Sequence, residues 1–366
     1  MLDLGACRLH TNPPQGSTRI YGSLGQRVAL AASLWVAASL ALAVGTLWWQ
    51  AGQVGGLSGL NPVFLLPAAG FALVSAGLRA FRWHSFLQAA GARTSLKTSI
   101  HAQLIGFSLT MTPGKVGEVY KCHLIEQRTG VPMARTAPIV LFEKAMDAIA
   151  FSLLAVIAAA LLEDLEDAVS TAARSLIVLG ILLIAAIVIL VRTRPDDLSG
   201  MLLRIVGRFR LGRKFASLAV LALAGSMDLM RAPLLSRMMI MSLAARTCDG
   251  LCLAWAAWAL GIQLPPLAGI FALNSSGALG GLSMLPGGIG VVETSMSVLL
   301  TKFGAVPATA LVGTMIARLM TFWLWVAIGL VLLVTGLDFR GGGFDRWRAD
   351  EKAGGPAKAQ DWRARS

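Results

Sequence analysis

The chain has 366 residues, of which 56% are hydrophobic and only 14% charged, with a formal net charge of +13; its mean hydropathy is +0.69. A soluble domain is about 25% charged, so these values exclude an ordinary soluble two-domain protein and point to an integral membrane protein. The basic residues crowd into a few loops, as the positive-inside bias produces; that argues against nucleic acid and for anionic lipid at the cytoplasmic face as the electrostatic partner.

Residues 1–27 hold Pro13-Pro14, glycines and three arginines, the composition of a disordered cytoplasmic tail. The apolar run that follows, about 28–49, is too long for a signal-peptide core and reads as a retained first span, closed by the interfacial pair Trp48-Trp49. Residues 50–61 contain no charge, and a second span of about 62–81 runs into Arg79, Arg82, Arg93 and Lys97. Arginine before the first span and after the second places the N-terminus in the cytoplasm.

Residues 98–110 are apolar, but 13 helical residues cover only roughly 20 Å. They lead into MTPGKVGEV at 111–119 and then a basic stretch with Lys121, Arg128 and Arg135. Apolar sequence that enters and turns back predicts a re-entrant hairpin over about 98–118; a surface helix plus loop is the alternative. A third span of about 136–162 is followed by the acidic EDLED at 163–167, and a fourth covers about 171–191. Next come Arg192, Arg194, Arg204, Arg208, Arg210, Arg213 and Lys214; Leu202, Ile205, Val206 and Phe209 recur among them at helical spacing. This predicts an amphipathic helix over about 197–215 on the cytoplasmic surface. A fifth span of about 238–260, an uncharged link at 261–266, a second hairpin of about 267–303 built on MLPGGIGVVE, and a sixth span of about 306–335 complete the domain. Residues 336–366 read as a second disordered cytoplasmic tail.

The expected fold is therefore an all-α polytopic membrane protein over 28–335, with about six full spans and two re-entrant hairpins. The hairpins enter from opposite faces, as in the inverted repeats that place broken helices around a midplane site.

Each hairpin carries Pro-Gly and a nearby glutamate: Pro113, Gly114, Lys115, Gly117 and Glu118 in the first, Pro286, Gly287, Gly288, Gly290 and Glu293 in the second. Proline removes a donor and glycine permits positive φ, so helix ends with free N–H groups face the interior and suit a phosphate or carboxylate. PGKVGE lacks the GxxxxGK[ST] pattern of a nucleotide loop. Ionisable residues deep in apolar sequence are functional candidates by default. These are Glu118 and Glu293, then Glu143, Lys144 and Asp147 in the third span, Arg246 and Asp249 in the fifth, and Arg318 in the sixth. Glu143 and Asp147 share a helix face, and Arg318 is the expected partner for them. Glu118 to Glu143 and Glu293 to Arg318 are both 25 residues, which would make the third and sixth spans equivalent. The network either locks the bundle or lines a polar cavity; Arg246 and Asp249 at i,i+3 read most simply as pairing with each other. The four cysteines and four histidines form no metal spacing, and Cys248 and Cys252 read as small apolar residues on one helix face. No metal or other cofactor is expected.

TPGKVGE after a short apolar segment, FEKAMD opening the next span, LPGGIGVVE late in the chain, an arginine in the final span and GLRAFRWHSFL at 77–87 together resemble the flippase-like transmembrane family of lysylphosphatidylglycerol synthases. The resemblance covers about 28–335 and implies an inner-membrane protein that moves a lipid between leaflets. Bifunctional members add a large soluble aminoacyl-transfer domain after the membrane part. This sequence ends about 30 residues after its last span, so that activity is not expected here.

The leading expectation is a lipid translocase, passive or ion-coupled, for a phospholipid or isoprenoid-type lipid with an anionic headgroup. An intramembrane lipid-modifying enzyme and a non-transporting partner of a lipid or envelope complex are the alternatives. A second copy of the chain is a candidate partner.

Overall fold

A computed structural model describes residues 60–111, 118–162, 232–283 and 285–335, with four isolated positions between 37 and 52. The first and fourth predicted spans, the turn residues Pro113, Gly114, Lys115 and Gly117, the EDLED loop, the amphipathic helix and both tails lie outside the described residues. The described residues form helices and no strand.

Asn61 opens the fold: its side chain accepts the Val63 N–H at 3.1 Å, and Pro62 starts a single 3-10 turn that runs into α1 (Leu65–Ala89). Proline at a first helical position loses no bond that the helix needs. The helix passes its predicted end at 81 by two turns, because Arg79 and Arg82 find carboxylates inside the bundle. It stops at Gly91, φ 80°, where Ala92 donates to the Leu87 carbonyl and Gly91 to that of Gln88, the paired closure of a Schellman end. Ser95 caps α2 (Leu96–Ser108), which a 3-10 turn, Leu109–Met111, extends. The chain is described again at Glu118 and enters α3 (Tyr120–Thr129), ended by Gly130 at φ 71°. Pro132 precedes α4 (Met133–Leu161).

The second half repeats this grammar. Helix α5 (Ala232–Ala259) ends on Gly261, φ 76°, with Ile262 donating to Ala257 and Gly261 to Trp258. Helix α6 (Pro266–Leu282) starts after Pro265, and a 3-10 turn, Pro286–Gly288, leads to α7 (Val291–Lys302). Helix α8 (Pro307–Arg318) continues through a π turn, Leu319–Trp323, into α9 (Leu324–Thr335).

Among the described residues, Pro62–Ala89, Arg135–Leu161 and Pro307–Thr335 are long and apolar enough to cross a membrane. Helix α5 has 28 residues but is not among these three, since Arg246 and Asp249 dilute its apolar surface. Leu66, Leu141, Ile240 and Val331 point outward with more than half their surface exposed, an apolar exterior that suits lipid.

Asn61 donates its N–H to the Ala259 carbonyl at 2.8 Å, so α1 and α5, packed along their lengths, run antiparallel. Leu60, Leu162, Leu260, Leu264, Phe303 and Ala305 gather at one end of the bundle, whereas Leu87, Ala92, Val131, Met133, Leu235 and Leu332 gather at the other. The start of α2 and the end of α3 thus lie at one end of the bundle, and the start of α6 and the end of α7 at the other. The 3-10 turns Leu109–Met111 and Pro286–Gly288 touch midway, where Met111 packs with Phe322, Trp323 and Ile289. Packing is partly crosswise: α2 lies on α9, and α6 lies as much on α4 as on α5 of its own half. Between lipid-facing helices, close van der Waals contact replaces the hydrophobic drive, and Gly329 supplies it by letting α9 press onto the Leu104 carbonyl of α2.

Candidate functional site

A cavity of about 420 Å³ opens beside the 3-10 turns Leu109–Met111 and Pro286–Gly288, within the size range of small-molecule sites. Its charged lining is Arg79 of α1, Lys144 and Asp147 of α4, Arg246 and Asp249 of α5, and Arg318 of α8; Gly287, Gly288, Thr110 and Phe322 complete the walls near the turns. Four cations and two carboxylates therefore face the space.

The charges form connected groups. Lys121 of α3 donates to Glu143 at 2.5 Å and to Gln103 at 2.8 Å, and lies 3.9 Å over the Trp83 ring. Gly106 makes room for it: a Cβ there would meet Lys121 Cδ at 2.9 Å. Arg82 stands 3.7 Å from Glu143 and donates to Asp147 at 2.7 Å and to the Ser242 hydroxyl. Arg246 Nη2 reaches Asp147 Oδ2 at 2.9 Å, and its Nη1 reaches Asp249 Oδ2 at 3.2 Å. Arg79 pairs with that same Asp249 oxygen. The result is an alternating chain, Lys121–Glu143–Arg82–Asp147–Arg246–Asp249–Arg79, that ties α1, α3, α4 and α5 together.

Two further pairs stand apart from it. Lys144, with 43% of its side chain exposed, holds the buried Glu118 at 2.6 Å. Arg318 donates from Nε to Glu293 at 2.7 Å and from Nη2 to the Gly287 carbonyl at 3.0 Å. Glu293 also accepts the Gly290 N–H at 2.8 Å, capping its own helix. Gly287 (φ 61°) needs the left-handed region, and a Cβ on it would meet Met111 Sδ at 2.7 Å. The π turn after Arg318 sets the Phe322 ring 4.2 Å beneath its guanidinium; such wide turns recur at functional sites.

This arrangement corrects one expectation. Arg318 does not pair with Glu143 or Asp147; it clamps the second turn through Glu293, and the third-span carboxylates are answered by Lys121, Arg82 and Arg246. The 25-residue spacing thus marks a contact within the second half. In the first half both positions are carboxylates, Glu118 and Glu143, so each takes a lysine instead. Of the other expected residues, Lys144, Asp147, Gly287 and Gly288 line the cavity, whereas Pro286 and Gly290 shape the turn outside the lining.

Arg79, Arg82 and Lys121 were not among the expected site residues, since a basic run at a span end reads as a cytoplasmic flank. One signal could have found Arg79. Arg79 and Asp249 each stand twelve positions before a helix-ending glycine, Gly91 and Gly261, so they occupy matching places in the two halves. Arg246 and Asp249 do pair, but as two links of the longer chain. Among the described residues no group of three or more His, Cys, Asp or Glu could hold a metal ion.

The profile of the lysylphosphatidylglycerol synthase TM region matches residues 36–329. The chain belongs to this family. The match takes in both turns, every cavity-lining residue and all described helices as far as Gly329, so the charge network is part of this lysylphosphatidylglycerol synthase TM region. Membership makes it a membrane protein linked to lipid biology. No curated protein matches the chain.

Proposed function

We propose that the chain is an inner-membrane lipid translocase that passes a phosphate-bearing lipid, chemically unchanged, between leaflets through the charged cavity. The observation that carries this reading is the position of the cavity: it lies midway along the bundle, between helix pairs whose outer ends lie at opposite ends of the bundle. At about 1.5 Å per residue, α2 and α6 reach roughly 20 and 25 Å, short of a bilayer core of about 30 Å, so both pairs are read as re-entrant. The two Schellman ends 170 positions apart, the glutamate after each turn and the crosswise packing of α2 on α9 and α6 on α4 support an inverted repeat. In this reading α1, α4, α5 and α8–α9 are four of six spans, and both termini are cytoplasmic. The headgroup enters the cavity while the acyl chains stay in lipid, and the resident ion pairs exchange partners as it passes. With no nucleotide loop in the sequence, transport is passive or ion-coupled.

The test is leaflet-resolved lipid transport in proteoliposomes made with native lipid extract, headgroups being identified by mass spectrometry. Wild type is compared with Arg318→Ala and with Lys144→Gln, the latter at a half-exposed position, and folding of each is confirmed. A lipid that crosses unmodified with wild type alone supports the translocase. A new lipid species makes the chain an enzyme. No crossing by folded wild-type protein makes it a partner within a lipid or envelope complex.

A further inference from the structure

Summed over the described ion pairs, the charges around the cavity do not cancel. Lys144–Glu118 and Arg318–Glu293 are each neutral, but the chain from Lys121 to Arg79 has four cations and three carboxylates, which leaves one positive charge in excess. An uncompensated charge at membrane depth costs several kcal/mol, so its place in the chain matters.

The surplus does not sit at the Lys121 end. There the ammonium is sealed from the cavity and satisfied by Glu143, the Gln103 carbonyl oxygen and the Trp83 ring face. At the other end Arg79 and Arg246 share a single oxygen, Oδ2 of Asp249. Among the described residues, two guanidiniums divide this one carboxylate oxygen and are under-neutralised, and both line the cavity. Its electrostatic demand is for one more anion, placed beside Arg79 and Arg246. Conversely, all five carboxylates of the cluster already hold a cation; Asp249 Oδ1 has no bond of its own, but its carboxylate already holds two guanidiniums, so an ammonium there enters a site of net positive charge.

We propose that this cavity is selective by sign: it takes lipid headgroups with one net negative charge, a phosphodiester without an amine, and rejects zwitterionic and aminoacylated cationic headgroups. The inference rests on reading the cavity as a lipid headgroup site. It sets this chain apart from the lysyl ester for which its family is named, whose headgroup carries a net positive charge.

The test is equilibrium binding to the purified full-length chain in neutral detergent, followed by native mass spectrometry. The probes are phosphatidylglycerol, phosphatidylethanolamine and lysylphosphatidylglycerol of matched acyl chains. One favourable charge contact at an effective dielectric near 20 predicts a preference for phosphatidylglycerol of about tenfold or more over either other lipid. Arg246→Gln removes the surplus and is expected to erase that preference; Arg246→Lys keeps the charge and is expected to retain most of it. Equal binding of all three lipids, or tightest binding of the lysyl ester, overturns sign selectivity while leaving a lipid site standing. Failure of the folded protein to bind any of the three overturns the headgroup-site reading and the selectivity with it. A preference unchanged in folded Arg246→Gln overturns the assignment to the Arg79–Arg246 end.

Discussion

Removing the Arg318 guanidinium tests whether the second turn is held by a buried ion pair. In wild type, Arg318 satisfies one Glu293 oxygen and the Gly287 carbonyl, and both ion-pair side chains are about nine-tenths buried. Arg318→Met keeps a chain that packs on Phe322 but strands the Glu293 carboxylate, whose remaining bond is the Gly290 N–H. Breaking a buried pair from one side costs about 3–5 kcal/mol. The double variant Arg318→Met/Glu293→Gln removes both charges; the new amide can still accept from Gly290, and the Gly287 carbonyl loses its donor, about 1 kcal/mol. Equilibrium unfolding in mixed detergent micelles, followed by tryptophan fluorescence, is therefore expected to show about 4 kcal/mol lost in the single variant, some thousandfold in the equilibrium constant. The double variant is expected to recover about 2–3 kcal/mol of that as coupling between the two sites. A single variant within about 1 kcal/mol of wild type, or a double variant as weak as the sum of the two singles, would refute the clamp.

Other perturbations separate the remaining parts of the argument. Asp147→Asn leaves Arg82 and Arg246 short of a shared carboxylate and should cost about 3 kcal/mol or more; Glu126→Gln breaks only the half-exposed pair with His123 and should cost under about 1 kcal/mol, both read in the same unfolding assay. Gly287→Ala combines a left-handed φ, about 1–2 kcal/mol, with a clash against Met111 and Phe322, so a loss of more than about 2 kcal/mol is expected. Gly77→Ala, inside α1 with nothing within 4 Å of its Cβ, should instead stabilise by up to about 1 kcal/mol. In a variant without the four native cysteines, single cysteines at Asn61 and Gln263 should react with a membrane-impermeant thiol reagent from outside intact cells, and one at Ser95 only after permeabilisation. Equal labelling of all three would overturn the opposed ends of the bundle.

Much of the fold was legible because its signals are local. Proline before a helix, glycine after one, and apolar length bound α6–α7 to within one residue of the expected 267–303. The end of α1 was not legible for a long-range reason. Arg79 and Arg82 look like the flank of a short span until Asp249 and Asp147, 170 and 65 positions away, are brought beside them. Part of the charge cluster could be read from burial cost, since the charges picked out deep in apolar sequence do gather there, but Arg79, Arg82 and Lys121 could not. Nor could its wiring. Arg318 faces Glu293 rather than Glu143 because the second turn's own carbonyl and carboxylate lie within reach of α8, whereas Glu143 is taken by a lysine from α3. The π turn at Leu319–Trp323 left no mark in composition or periodicity.

The network also divides according to what each charge can touch. Lys121, Glu143 and Arg82 lie behind the cavity wall and bond to one another, Gln103 and Ser242; that part acts as a lock, joining α3 to α4 and α1. Asp147, Arg246, Asp249 and Arg79 continue the same chain but line the cavity, where, on the proposed translocase reading, a headgroup competes for their bonds. A lock alone needs no open space beside it, because a cavity at a buried ion pair only weakens the packing that holds the pair. The two ends therefore carry different expectations. Substitution at the sealed end should lower stability and transport together. Arg79→Lys, which keeps the charge but loses the planar fork, should impair transport by more than it lowers stability, and a protein that keeps full transport after this change would place Arg79 in the lock.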